Sequence, residues 1–238
     1  MVSIQRPLFD AVTFWGMLLI VIMMAGAWIV LLTRLKKSFG VATFFLIFVV
    51  IGINIISDQL GWFARLDVLP PPFVAMNFAI LLLLFVLSMG YVGQVGNVLV
   101  KNVSVETLVA LQIFRLPLEF LMLRAAYLQI MPMEFSMLGY NLDVLTGLGA
   151  LLLTMYAACR RSMPKILVWA WNVMGIFFLL VIAILAVLTS PNLHAFGVAS
   201  NHINSWVLYF PYALLPSVLV SFAVLGHILL TRKLLLSA

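Results

Sequence analysis

The chain has 238 residues, a formal net charge of +6, 66% hydrophobic residues and 8% charged ones, with a mean hydropathy of +1.24. An average soluble domain is about 45–50% apolar and about 25% charged, so the composition argues against a soluble domain and against reading the positive charge as a nucleic-acid footprint. A single cysteine, Cys159, excludes an intrachain disulfide and a multi-cysteine metal site.

Uncharged apolar runs of about 18 residues or more read as transmembrane helices. The sequence predicts an all-α bundle of seven, at residues 11–32, 41–62, 73–94, 105–128, 142–158, 166–188 and 210–231. The first run starts after Arg6 and stops at Arg34, Lys36 and Lys37; it is too long for a signal-peptide core and reads as a retained helix. The second carries Asn54 and Asp58 near its end. The third opens after Pro70, Pro71 and Pro72, carries Asn77, and has Gly90, Gly93 and Gly96 near its end, small residues that let helices meet closely. The fourth is the most polar, with Gln112, Arg115, Glu119 and Arg124 around Pro117. The fifth begins at Asn141 and Asp143, good helix-start residues, and is loosened by Gly147 and Gly149. The sixth carries Asn172 and closes at Ser190 and Pro191. A long uncharged loop follows, with Trp206 and Tyr209 suited to the headgroups; it reads as a surface loop with an anchoring aromatic, the alternative being a segment that dips into the interface or caps the bundle. The seventh opens between Pro211 and Pro216 and carries His227.

Lysine and arginine set the expected direction. Arg34, Lys36, Lys37, Lys101, Arg160, Arg161, Lys165, Arg232 and Lys233 fall on one side of the seven crossings, against Arg6 and Arg65 on the other. By the positive-inside rule the N-terminus lies outside and the C-terminus in the cytoplasm.

Ionised side chains at a helix centre cost roughly 2.5–3.5 kcal/mol on insertion scales, so those in the fourth run mark a site. Arg115 and Glu119 are four apart and share a helix face, while Pro117 between them frees the Ile113 carbonyl and kinks the helix. One polar layer is expected near the outer end, from Asn54, Asp58, Asn77, Glu119, Arg124 and Asp143; a second, nearer the cytoplasm, from Gln112, Arg115, Asn172 and His227. Asn172 and His227 are the expected partners of Arg115, and Asn77 or Asp143 that of Glu119. The candidate ligand-binding residues are therefore Arg115, Glu119, Arg124, Asn77, Asp143, Asn172 and His227. Arg115 would hold an anionic group by charge-assisted hydrogen bonds, and Glu119 or His227 would carry a proton. Asn141 and Asp143 read equally well as capping residues, and His227 as a hydrogen-bonded bundle residue.

Enzymatic motifs are wanting. There is no glycine-rich phosphate loop with its lysine, no HExxH and no CxxC. Ser217 and Ser221 share the seventh run with His227 but sit in no GxSxG turn, and an Asp58–Asp143 dyad would lack any distinctive motif. No catalytic residue, metal or cofactor is expected; His194 and His202 lie in the long loop across the bilayer from His227, which disfavours bis-histidine haem, while histidine–methionine ligation stays open, the thirteen methionines reading more simply as packing material.

Two stretches carry a resemblance: residues 112–149, with FRLPLE, a proline and then GYNLDVLTG, and residues 210–227, with FPYALLP and a histidine about one helix later. Together they resemble a family of bacterial multi-pass membrane proteins without an assigned activity. The resemblance implies a bacterial inner (cytoplasmic) membrane and singles out Arg115, Glu119, Asn141, Asp143, Pro211, Pro216 and His227. The function read from the chain is a membrane protein whose polar intramembrane pocket binds or conducts a small solute or ion, with proton coupling. The alternative is a non-catalytic subunit or assembly protein whose buried charges are structural. Its partners are the lipid bilayer, a small solute or ion, and a second membrane protein or copy of itself, with no nucleic acid.

Overall fold

The computed structural model describes residues 6–65, 93–160 and 162–236, together with Ile4, Phe78 and Leu82. The expected helix at 73–94 and Asn77 within it lie outside the described residues. The rest is helical, with no strand among the described residues: α1 (Ala11–Leu35), α2 (Lys37–Leu60), α3 (Gln94–Asn102), α4 (Val105–Ala110), α5 (Arg115–Tyr127), α6 (Val144–Arg160), α7 (Lys165–Leu188) and α8 (Val220–Leu236). A π-helical turn at Leu215–Leu219 runs into α8. Among the described residues four stretches are long and apolar enough to cross a membrane: Ala11–Leu35, Lys37–Leu60, Lys165–Leu188 and Leu215–Leu236; Val144–Cys159 is a shorter apolar helix.

The first two helices form a hairpin with one residue between them, the extended Lys36. Such a tight reversal needs glycine: a Cβ on Gly40 would lie 1.8 Å from Thr33 Oγ1. The basic residues expected to end the first run are instead absorbed into the hairpin, because their charged tips extend from a helix end without interrupting its backbone bonds. Gly61, at φ +65°, ends α2 in the left-handed conformation that glycine adopts without strain.

The last helix is the centre of the bundle. Its span is 61% buried, against 22% for α2, whose Phe45, Phe48 and Ile56 are exposed as lipid-facing residues are. Trp28 of α1 stacks on Phe222 of α8 at 5.4 Å. Lys233 donates to the Val100 carbonyl at 2.8 Å and Arg232 to Asn97 at 2.7 Å, which ties the short α3 to the end of α8. These contacts gather Lys36, Lys101, Arg232 and Lys233 at one end of the bundle, the basic end. Asp10, Asp58 and Glu134 lie toward the other.

Two expectations are corrected here. The run at 105–128 is not one helix: α4 stops at Ala110, a turn covers residues 111–114, and α5 starts at Arg115. The loop after α7 is not a surface anchor either. It folds over the bundle end in two 3-10 turns and buries Trp206 to 1% exposure against the Tyr212 ring, 5.0 Å away. Tyr212 in turn meets Thr13 of α1, hydroxyl to hydroxyl at 3.1 Å.

Candidate functional site

The break between α4 and α5 builds the site. Pro117 has no N–H and its ring crowds the carbonyl four residues back, Ile113. That carbonyl is taken instead by the Leu116 N–H at 3.0 Å, a tightened turn, as the Gln112 carbonyl is by the Arg115 N–H at 3.2 Å. The turn aims Gln112 and Arg115 into the bundle, both 1% exposed, and one turn on Glu119 is 1% exposed as well. The shared inward face predicted for Arg115 and Glu119 is therefore present. Gly147 of α6 brings its helix against this turn; a Cβ there would lie 2.5 Å from the Leu116 backbone nitrogen.

The partners differ from those expected. Arg115 Nη1 donates to Asp143 Oδ1 at 2.8 Å, and the pair is buried. Asn172 and His227 bind each other instead. Glu119 is met by the Asn141 amide, whose Nδ2 lies 2.9 and 3.0 Å from its two oxygens and 3.0 Å from the Phe135 carbonyl. Asn141 Oδ1 accepts the Asp143 N–H at 3.0 Å. Asn141 thus does two jobs, organising the entry to α6 and holding Glu119. The capping residue was legible in the sequence; its grip on Glu119 was not. A cavity of about 30 Å³ reaches Arg115, Glu119 and Asp143, walled by Leu179 and Ile182 of α7 and by Leu219 and Ala223 along the last helix. That is room for about two water-sized species.

Toward the basic end, His227 Nδ1 lies 2.8 Å from Asn172 Oδ1, and Asn172 Nδ2 donates to Thr231 Oγ1 at 2.7 Å. The Trp171 ring leans on the His227 ring at 5.3 Å and its N–H donates to the Thr146 carbonyl. Several atoms of this region have no hydrogen-bond partner among the described residues: Gln112 Nε2 and Oε1, Arg115 Nη2, Thr146 Oγ1 and His227 Nε2.

Of the outer layer expected from the sequence, Glu119 and Asp143 meet around the cavity, while Arg124, Asn54 and Asp58 bind elsewhere. Arg124 is 46% exposed at its side chain and grips Asp10 with both Nε (3.0 Å) and Nη2 (2.8 Å), away from Glu119. This grip, with the Thr13 N–H, holds the Asp10 carboxyl well below the usual carboxylate range. Asn54 binds the Val50 carbonyl and approaches Ser217. Asp58 pairs with Arg6, so it makes no dyad with Asp143, which belongs to Arg115. His202 Nδ1 meets Glu134 Oε1 at 2.6 Å, a loop-to-loop contact that no sequence spacing announced. Among the described residues no group of three or more His, Cys, Asp or Glu side chains is placed to hold a metal ion.

The fold and site define an all-helical protein with apolar helices of membrane-spanning length around a buried polar cluster. No protein-family model matches the chain, and no curated protein or solved structure matches it either.

Proposed function

We propose that the protein resides in a bacterial inner membrane and binds a small cation, or the proton itself, at Glu119 and Asp143, as the binding step of proton-coupled conduction or transport. The observation that carries this reading is charge: two buried carboxylates, Glu119 and Asp143, and one buried guanidinium, Arg115, line a cavity of about 30 Å³. Arg115 is already matched by Asp143, so an added anion would be unbalanced, whereas a proton or cation at Glu119 completes the set. Buried charges are tolerated when their partners balance them. Glu119 retains acceptor capacity, because one Asn141 amide serves both of its oxygens and the Phe135 carbonyl.

The test is reconstitution in liposomes with an entrapped pH dye. The parent protein dissipates an imposed proton gradient, and Glu119→Gln slows it at least tenfold while leaving the fold intact. Equal rates for parent and folded Glu119→Gln would sink the proposal. The rival, an assembly or interaction subunit, draws support from the 2.8 Å Arg115–Asp143 pair, which suffices as a structural clamp; it requires that neither protein move protons.

A further inference from the structure

Hydrogen-bond accounting fixes the state of the buried histidine. The Thr231 hydroxyl has one proton, and it goes to the His227 carbonyl at 2.8 Å. Toward Asn172 the hydroxyl must therefore accept, so the Asn172 atom 2.7 Å away is the amide nitrogen and its oxygen faces His227. That oxygen carries no proton. His227 Nδ1 must then carry a proton; a second proton would put an unpaired charge in a residue 1% exposed, so the ring is neutral and its Nε2 a bare lone pair.

Two glycines let the polar side chains of this region pack close against the helices. A Cβ on Gly175 would lie 2.6 Å from His227 Nε2 and 3.0 Å from Thr146 Cγ2, and one on Gly226 would lie 2.0 Å from Gln112 Nε2. His227 sits one turn beyond Ala223, which lines the Arg115–Glu119 cavity. The unpartnered atoms between them combine donors (Arg115 Nη2, Gln112 Nε2), acceptors (Gln112 Oε1, His227 Nε2) and the Thr146 hydroxyl, which is both. A metal ion would need acceptors alone and an oxyanion donors alone. Water needs both, and buried water characteristically makes 2–4 hydrogen bonds to otherwise unsatisfied groups.

We infer that Arg115, Gln112, Thr146 and His227 form a second ligand site, one for internal water, which continues the Glu119 cavity toward the basic end and terminates at His227 Nε2 as its proton acceptor. Among the described residues the charged group that faces His227 is Arg115 of α5; α6 presents Thr146, and α7 presents Trp171, Asn172 and Gly175. The inference rests on the proposed function only for the use to which the water is put.

Solid-state NMR of the full chain in lipid bilayers, with ¹⁵N-labelled histidine, tests it. Single substitutions His194→Gln and His202→Gln, both in the loop, assign the His227 signals by elimination. The expected spectrum shows His227 protonated at Nδ1, bare at Nε2, with magnetisation transfer from water to the ring. A ring protonated at Nε2 and bare at Nδ1 overturns the hydrogen-bond chain, and a ring without transfer from water overturns the site. In protein labelled instead with ¹⁵N-glutamine, His227→Gln, which places an oxygen near the Nε2 position, is expected to retain water transfer to Gln112, and His227→Asn to lose it. If these variants fail to fold, the parent spectrum alone decides. Water transfer without proton flux would sink the transport reading and leave this site standing; flux with a dry His227 would do the reverse.

Discussion

Two arginines of α5 show how burial decides what a charge is worth. Arg115 is buried with Asp143, and removing one member of such a pair leaves an uncompensated charge in low dielectric, a loss of roughly 3–5 kcal/mol. Arg115→Ala is therefore expected to lower thermal stability in detergent far more than Arg115→Met combined with Asp143→Leu, which removes both members of the ion pair. Equal stability of Arg115→Ala and the parent would mean that water reaches the pair freely. Arg124 offers the contrast. It is half-exposed, and its grip on Asp10 is screened by solvent and salt, so Arg124→Ala is expected to cost much less than Arg115→Ala in the same melt. Its pH dependence has a definite sign. The Asp10 carboxyl is depressed in the folded state from its ordinary value of 3.8. The contribution of the clamp is thus complete above that pH and lost as pH falls below it. Parent and Arg124→Ala should converge in stability in acid and diverge, modestly, toward neutrality.

At the scale of elements, close approach governs what hydropathy cannot report. Gly147 and Gly26 look alike in sequence, each a glycine in an apolar run. A Cβ at Gly147 would strike the Leu116 backbone at 2.5 Å, while one at Gly26 meets nothing within 4 Å. Gly147→Ala is expected to push α6 off the Arg115 turn and cost about 1–3 kcal/mol as overpacking does. Gly26→Ala should stabilise α1 by up to about 1 kcal/mol through helix propensity alone. Melting both variants beside the parent checks the opposite signs; a shift in the same direction would contradict the α5–α6 packing. The same distinction explains what was legible. Long apolar runs gave α1, α2, α7 and the last helix within a few residues, because lipid-facing length is written directly in composition. The α4–α5 break was foreshadowed by Pro117 yet placed a turn early in the chain, since proline disturbs the carbonyl four residues before it. That the 189–210 loop caps the bundle was one of its two readings, but the burial of Trp206 was hidden, because burial of a loop aromatic depends on neighbours distant in sequence.

For the whole molecule, the inward residues were legible and their pairing was not. Rarity picks out Arg115, Glu119, Asn172 and His227 as buried, since a polar group in an apolar run must face the bundle. Which of them meet depends on helix rotation and depth, and these follow from contacts such as Gly147 on Leu116 and Gly175 on His227 that no periodicity encodes. Charge asymmetry, by contrast, survives at this scale. The α1–α2 turn, α3 and the end of α8 bring Lys36, Lys101, Arg232 and Lys233 to one end, while Arg6 lies at the other beside Asp58. Insertion retains the end rich in lysine and arginine on the cytoplasmic side, so the turn at Lys36 and the C-terminal end of α8 should share that side. Reporter fusions at Ser38 and at Ala238 test this together. A fluorescent reporter that matures only in the cytoplasm is expected to be active at both positions, and a phosphatase that folds only outside to be silent at both. Activity of the phosphatase at Ala238 would reverse the orientation, and opposite results at the two sites would break the bundle arrangement that places α1, α3 and α8 with their basic ends together.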